Sequence, residues 1–119
     1  MKKILIIEDD PDSADTMKTL IEEEGYEVVC ELDPRKGIKM LEKFDLLLLD
    51  IIMPKMTGRE VLKVLKDKNV KIPIIVVSAV GMPTEMEREL LTKWPGAGFV
   101  AKTNMVEDLV KEIRKKIGE

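Results

Sequence analysis

The 119-residue sequence contains no histidine, one cysteine and few aromatic residues, namely two Phe, one Trp and one Tyr. The lack of histidine excludes a Ser/His or Cys/His catalytic arrangement, a His-ligated metal site and a phosphohistidine formed on this chain. If phosphate chemistry takes place here, a partner must supply the histidine. A single cysteine cannot form an intramolecular disulfide, so we expect a reducing cytoplasm and interpret Cys30 as a small buried apolar residue.

Long apolar runs and an excess of one charge are also missing. The first three residues lead into four apolar residues and then three acids, which predicts neither a signal peptide nor membrane insertion. Twenty basic and twenty-three acidic side chains give a net charge of −3, which argues against direct nucleic-acid binding over the whole surface. The length predicts one domain, 1–119, with an aliphatic core and no output domain.

Short apolar runs alternate with segments whose apolar residues recur at helical spacing. The five predicted strands cover 3–7, 26–32, 45–49, 72–77 and 98–101. Asp10 and Asp33 each precede a proline that suits a first helical turn, and Asn104 is a predicted cap for the last helix. The fourth of five predicted helices runs from Met82 to Lys93. Strict alternation predicts an α/β fold in which helices cover both faces of a parallel sheet.

Polar residues follow the predicted strands at the sheet edge where open α/β sheets bind their ligands. They are Glu8, Asp9, Asp10, Asp50, Ser78 and Lys102. Each alone has a structural explanation, such as capping a helix or carrying a surface charge. Together they bring carboxylates to one edge, where they repel unless a cation lies between them, and oxygen ligands without His or Cys favour Mg²⁺. Asp50 could then act as a nucleophile that forms an acyl phosphate, with Ser78 donating a hydrogen bond to a phosphoryl oxygen.

Four motifs carry a resemblance to a known family. They are ILIIEDD at 4–10, LLLLDIIMPKMTG at 46–58, PIIVVSA at 73–79 and GFVAK at 98–102. The sequence resembles the receiver domain of two-component response regulators over essentially its whole length, in the form of a stand-alone chemotaxis receiver. The resemblance implies a flavodoxin-like sheet of five strands in the order 2-1-3-4-5 with five helices on two faces.

The resemblance also implies a phosphoacceptor and a metal site. Asp50 is similar to the phospho-accepting aspartate, and it lies among the expected metal ligands. Asp9 is expected to bind Mg²⁺ directly, Glu8 through water, and Ile52 through its main-chain carbonyl. Mn²⁺ is expected to substitute for Mg²⁺, and Asp10 falls outside the acidic pair, so we interpret it as a helix cap.

The remaining site residues match the family's switch. Lys102 matches its ammonium group, Ser78 stands at its hydroxyl position and Phe99 at its aromatic position, where simple core packing is the alternative. The implied donor is a histidine kinase or phosphotransfer protein. An unknown downstream protein is expected to bind the face formed by the fourth helix, the fifth strand and the fifth helix. Such a protein is a signalling switch more than an enzyme, although it promotes its own phosphoryl transfer and dephosphorylation.

Three other functions remain as alternatives. A receiver-shaped binding module that signals without phosphorylation fits the fold but leaves the site residues unexplained. A phosphatase with an aspartate nucleophile needs a second acid two residues later, where the chain has Ile52. A dinucleotide or flavin carrier needs a glycine-rich or hydroxyl-rich loop after the first strand, where Glu8 and Asp9 would repel phosphate.

The sequence departs from the family pattern at several positions. Thr103 replaces the usual proline after the family's lysine, and because a cis bond before a non-proline residue costs about 3 kcal/mol, we predict a trans Lys102–Thr103 peptide. Pro95 stands where the family commonly has glycine. Ile52 and Val80 place apolar side chains beside the expected phosphate, which suggests the hypothesis that the phosphoryl group is lost slowly.

Overall fold

The computed structural model describes residues 2–50, 58–69, 71–79, 85, 88, 91, 92, 94 and 96–118. The elements in them are β1 (Lys3–Ile7), α1 (Pro11–Glu22), β2 (Glu27–Glu31), α2 (Pro34–Met40), β3 (Leu46–Asp50), α3 (Gly58–Asp67), β4 (Ile74–Ser78), β5 (Gly98–Ala101) and α4 (Met105–Ile117). Short 3₁₀ turns at Leu41–Lys43 and Lys102–Asn104 follow α2 and β5. The five strands form one parallel sheet in the order β2-β1-β3-β4-β5. The predicted fold is therefore confirmed.

The predicted fourth helix, 82–93, lies mostly outside the described residues. The four residues described within it, Glu85, Arg88, Leu91 and Thr92, are helical, and the Thr92 hydroxyl donates to the carbonyl of Arg88 at 2.9 Å. The described part of the chain thus contains four complete helices where the sequence predicts five. No helix in that part is both long and apolar enough to cross a bilayer.

Two apolar clusters cover the two faces of the sheet. The first lies against α2 and α3 and contains Leu5, Ile7, Ile38, Leu41, Leu47, Leu49, Val61, Leu65, Ile72, Ile74 and Val76. The second lies against α1 and α4 and contains Ile4, Ile6, Met17, Ile21, Tyr26, Val28, Leu46, Leu48, Ile75, Val77, Val100, Met105, Leu109 and Ile113. Successive residues of a strand point to opposite faces, so the runs in β1, β3 and β4 are apolar at every position. Because both faces of these strands are buried, packing on each side holds the strand ends, and the polar residues that follow them, in place.

Local hydrogen bonds explain where the helices begin. The Asp10 carboxylate accepts from the main-chain N–H of Asp12, and Asp33 caps α2 in the same way, so both predicted caps are confirmed. Asn104 stands at the predicted cap position of α4, but its side chain makes no capping hydrogen bond, because the preceding 3₁₀ turn already directs the chain into the helix. Cys30 is half-buried instead of buried, since β2 is an edge strand.

Candidate functional site

The register of β1 and β3 brings two acids to the same edge of the sheet. Ile7 pairs with Leu49, so Glu8 and Asp50 are the next residues along two adjacent parallel strands. Asp50 is the last residue of β3, where it pairs with Val77, although the sequence predicted the strand to end one residue earlier. Both carboxylates therefore emerge from the rigid centre of the sheet.

The strands β4 and β5 supply the hydroxyl and the ammonium group. Ser78 ends β4 and is almost fully buried at 2% exposure, and it pairs with Ala101 at the end of β5. Lys102 follows directly and begins the 3₁₀ turn that leads into α4. The Lys102–Thr103 peptide is trans, as predicted. Four neighbouring strands thus end in polar side chains at one edge.

Three carboxylates lie together at this edge. One oxygen from each of Glu8, Asp9 and Asp50 can be chosen so that all three atoms lie within 4.8 Å of one another. Glu8 is 1% exposed and Asp50 is 8% exposed, whereas Asp9 is half-buried. Close, buried carboxylates repel one another unless positive charge lies between or beside them.

Lys102 supplies positive charge to two of these acids. Its Nζ donates to Glu8 Oε1 at 3.0 Å and to Asp50 Oδ2 at 3.4 Å, and its side chain is 18% exposed. Burial alone would lower the pKa of Lys102, but the hydrogen bond to Glu8 and the charge of Asp50 outweigh it and raise the pKa above its usual value. Lys102 is therefore a fixed cation that faces both acids.

Glu8 is held by one of its two oxygens. Oε1 accepts from the main-chain N–H of Asp10 at 3.2 Å as well as from Lys102, whereas Oε2 is buried and has no hydrogen-bond partner. Burial raises the pKa of Glu8 to about 7, the Lys102 hydrogen bond opposes that rise, and the nearby Asp50 carboxylate adds to it. The charged side chains of the described residues therefore leave one acid short of positive charge.

The donor set fits a divalent cation of the hard type. All of its ligand atoms are oxygens, and a buried carboxylate oxygen without a donor is the atom that a metal ion would satisfy. Mg²⁺ commonly takes one or two carboxylates and keeps several waters, which suits the half-buried Asp9 at the outer side of the cluster. Glu8, Asp9 and Asp50 are the described residues that could hold the ion.

The other predicted site residues divide into two groups. Phe99 on β5 is half-buried and packs, with Leu91 and Trp94, against the first apolar cluster. Ile52, with its predicted carbonyl ligand, and Val80 lie outside the described residues. The structure therefore brings together the acids, the hydroxyl and the ammonium group, while the flanking apolar pair stays a sequence-based prediction.

Sequence reasoning did not find two main-chain partners of Glu8. Its carboxylate accepts from the N–H of Asp10, and its own N–H donates to the carbonyl of Glu31 on β2 at 3.3 Å. Every residue has main-chain polar groups, so no residue type in the sequence indicates that such a contact will form. The closeness of β2 to β1 in the strand order is the one signal from which the second contact could have been expected.

Comparison with known proteins agrees with this geometry. Residues 4–114 match the family model described as the response regulator receiver domain. The chain is 34% identical over 115 residues to the transcriptional regulatory protein CpxR of Escherichia coli strain K12, covering 96% of this chain and 48% of CpxR. The chain belongs to the response regulator receiver family, and it spans about half the length of the curated relatives it matches.

Solved structures give the same result. A response regulator receiver domain protein (CheY-like) from Methanospirillum hungatei JF-1 is 30% identical, with a TM-score of 0.85 and coverage of 99% of this chain and 94% of that one. The response regulator protein TrrA from Thermotoga maritima, solved in complex with Mg²⁺-BeF, is 29% identical, with a TM-score of 0.80 and coverage of 97% and 98%. These matches agree with the fold of the structure and with the family assignment.

Proposed function

We propose that this chain is a phosphorylation-dependent switch of a two-component system that accepts a phosphoryl group on Asp50. The observation that carries the proposal is the placement of the Asp50 carboxylate. It is 8% exposed, lies 3.4 Å from Lys102 Nζ and shares a cluster with Glu8 and Asp9. A lone structural acid would not need two further acids and a half-buried cation beside it.

The donor is the phosphohistidine of a kinase or phosphotransfer protein, and because this chain contains no histidine, that residue lies on the partner. A carboxylate oxygen of Asp50 attacks phosphorus, the phosphorus–nitrogen bond of the donor breaks, and its electron pair returns to the imidazole nitrogen, which takes up a proton. Lys102 stands where it can neutralise charge on the transferred group while staying close to Asp50. The chain needs no general base of its own, since a carboxylate nucleophile has no proton to give up when it attacks.

The metal is Mg²⁺, held directly by Asp9 and Asp50 and through water by Glu8, with Mn²⁺ as a substitute and the carbonyl of Ile52 as a further ligand. When bound, the ion supplies charge neutralisation for the phosphoryl oxygens and for the clustered carboxylates. The buried Glu8 Oε2, which has no hydrogen-bond partner, supports this assignment. The Mg²⁺-BeF complex of the TrrA relative supports it as well.

Phosphorylation would change the surface formed by β5 and α4. Ser78 on β4 is paired with Ala101 on β5, so movement of the hydroxyl toward a phosphoryl group acts on the strand that carries Phe99. Val106, at the start of α4, presents an apolar side chain that is 71% exposed on this surface. A downstream protein that recognises the phosphorylated form would bind here, together with the predicted fourth helix.

Acetyl phosphate and Mg²⁺ test the proposal directly. The intact protein should gain the mass of one phosphoryl group, and the Asp50→Asn variant should not gain it. Asp45→Asn is the matched control, because Asp45 stands at the other end of β3 and is exposed. It should gain the same mass as the wild type.

The outcomes separate the proposal from its alternative. No mass gain with acetyl phosphate, and none with phosphorylated histidine kinase, would favour a receiver-shaped module that binds partners without phosphorylation. A gain that survives in Asp50→Asn would place the modification elsewhere. Chelation of the metal should abolish the gain in the wild type.

A further inference from the structure

We propose that Gly37 of α2 is a positioning residue for the acid cluster: the absence of a side chain there lets Ile7 and Glu31 hold Glu8 in its ligand position. This inference rests on the metal site proposed above. It assigns a role in that site to a residue on a helix that contributes no polar group to it.

The occurrence of glycine at position 37, inside a helix, requires an explanation. It lies inside α2, where glycine is less favourable than alanine by about 0.5 to 1 kcal/mol. Its backbone does not adopt the left-handed conformation that favours glycine, unlike that of Gly25. The reason therefore lies in the space around it.

That space is filled by the end of β1. A Cβ atom at position 37 would lie 2.7 Å from both Cδ1 and Cγ1 of Ile7 and 3.6 Å from Cγ of Glu31. Ile7 is fully buried in the first apolar cluster, so its side chain cannot turn into solvent to make room. In a closely packed interior, an added methyl group is accommodated by moving the neighbouring atoms.

The two residues that a methyl group at position 37 would meet first also support the backbone of Glu8. Ile7 precedes Glu8 in the chain and pairs with Glu31 in the sheet. The carbonyl of Glu31 accepts from the N–H of Glu8 at 3.3 Å, a distance with little room to lengthen before the bond is lost. A methyl group at position 37 would press on both supports at once.

Displacement of Glu8 matters because metal sites tolerate little error. Loss of a group that supports the direct ligands, such as a carboxylate that acts through a bound water, usually weakens metal binding about 10- to 100-fold. The Glu8 carboxylate is also tied to Lys102 and to the N–H of Asp10 through Oε1, so a backbone shift cannot be absorbed freely by the side chain. Gly37 therefore affects the cluster through Ile7 and Glu31 without contacting the ion.

The test compares Gly37→Ala with the wild-type protein by calorimetric titration with Mg²⁺. We expect about tenfold weaker binding, the low end of the loss seen when a supporting partner of a ligand is removed. In the metal-free protein, the amide of Glu8 should exchange with solvent faster, because its hydrogen bond to Glu31 is weakened. Lys36→Ala, on the exposed side of the same helix, should change neither quantity.

A second substitution identifies the cause. Ile7→Ala removes both Cδ1 and Cγ1, the two Ile7 atoms that the new methyl group meets. In the Ile7→Ala background, Gly37→Ala should change the Mg²⁺ affinity by no more than about twofold, because contacting sites are coupled and the contact is gone. If Gly37→Ala alone does not fold while Ile7→Ala does, the double variant should fold and bind Mg²⁺, and failure of the double variant would overturn the proposal.

The remaining outcomes are also decisive. Unchanged Mg²⁺ affinity and unchanged Glu8 exchange in Gly37→Ala would show that the helix has room for the methyl group and overturn the inference. An equal loss of affinity in both backgrounds would assign the effect to general destabilisation and overturn it too. If the wild type itself does not bind Mg²⁺, the proposed metal site fails, while the exchange of the Glu8 amide still shows whether Gly37 positions Glu8.

Discussion

Two aspartates bracket the four leucines of β3, and their surroundings differ completely. Asp45 precedes the strand and is exposed; its Oδ2 accepts from the main-chain N–H of Lys3 at 2.8 Å, and its own N–H donates to the Lys3 carbonyl at 2.8 Å. Asp50 ends the strand, is 8% exposed, and lies beside Lys102 and two other acids. The same residue type thus stands at both ends of one buried strand.

Comparison of the two ends of β3 separates the polar groups that stabilise the fold from those that form the candidate site. At the amino end, Asp45 closes the β1–β3 ladder and Lys3 Nζ lies 4.0 Å from Glu27, with both of those side chains about half exposed. At the carboxyl end, a buried oxygen of Glu8 has no hydrogen-bond partner. A fold selected for stability alone would not keep that oxygen, so the carboxyl end gives up stability for a site.

The largest stability effect should come from removing the cation at the carboxyl end. In Lys102→Met, Glu8 and Asp50 keep their burial but lose their shared partner, and breaking such a pair should cost about 3 kcal/mol of unfolding free energy at pH 8. Denaturant unfolding of the metal-free protein measures the loss. Lys3→Met is the matched control, because its exposed pair should contribute less than about 0.5 kcal/mol. Equal losses in the two variants would refute the contrast between the ends.

A smaller effect, opposite in sign, should follow from Glu8→Gln. The pKa of Glu8 is about 7 in the folded protein against an ordinary value of 4.5, so the wild type loses stability from this group as pH rises from 4.5 to 7. Glu8→Gln should therefore equal the wild type near pH 4.5 and exceed it by about 2 kcal/mol at pH 8, below the ~3 kcal/mol that the full shift implies.

Unfolding of both proteins across this pH range, without metal, measures the difference. A difference that does not change with pH would contradict burial as its cause. Added Mg²⁺ should stabilise the wild type at pH 8 much more than Glu8→Gln, since the variant lacks one of the three carboxylates proposed to hold the ion.

The smallest of the three effects belongs to the amino end. Asp45→Ala removes an acceptor from the N–H of Lys3, and because that group is exposed and can bond to water, the cost should be about 1 kcal/mol. Phosphorylation by acetyl phosphate should proceed as in the wild type. Thermal unfolding and the mass assay check both parts, and a loss of phosphorylation in this variant would show that the two ends of β3 are coupled.

Most of the fold could be predicted because the strands are apolar on both faces and are bounded by polar residues. The observed bounds of β1 and β5 agree with those predicted, and the other strands differ by at most two residues at each end. The start of β4 shows the limit of the method. Ile72 is buried and apolar, yet the strand begins at Ile74, because burial in a cluster does not require pairing with a neighbouring strand. The order of the strands came from the family resemblance, since alternation alone fits several orders.

The site was predictable as a set of residues but not as a geometry. Strand ends indicated which side chains would share an edge, and the structure places Glu8, Asp9 and Asp50 together. No sequence pattern indicates that Lys102 lies closer to Glu8 than to Asp50, because these distances depend on side-chain packing. No pattern points to Gly37 either, because its effect depends on an absent side chain facing a neighbouring strand.

The position of β5 at the edge of the sheet has a consequence for communication. The acids arise from inner strands, whereas Lys102 follows a strand that has a neighbour on one side only, so the cation and the acids belong to parts of the sheet with unequal freedom to move. Binding at one site and binding at another must influence each other by the same factor when they are linked. A protein that binds β5 and α4 and shifts Lys102 would therefore change the affinity of the acids for their ion. By the same factor, binding of the ion would change the affinity of β5 and α4 for that protein.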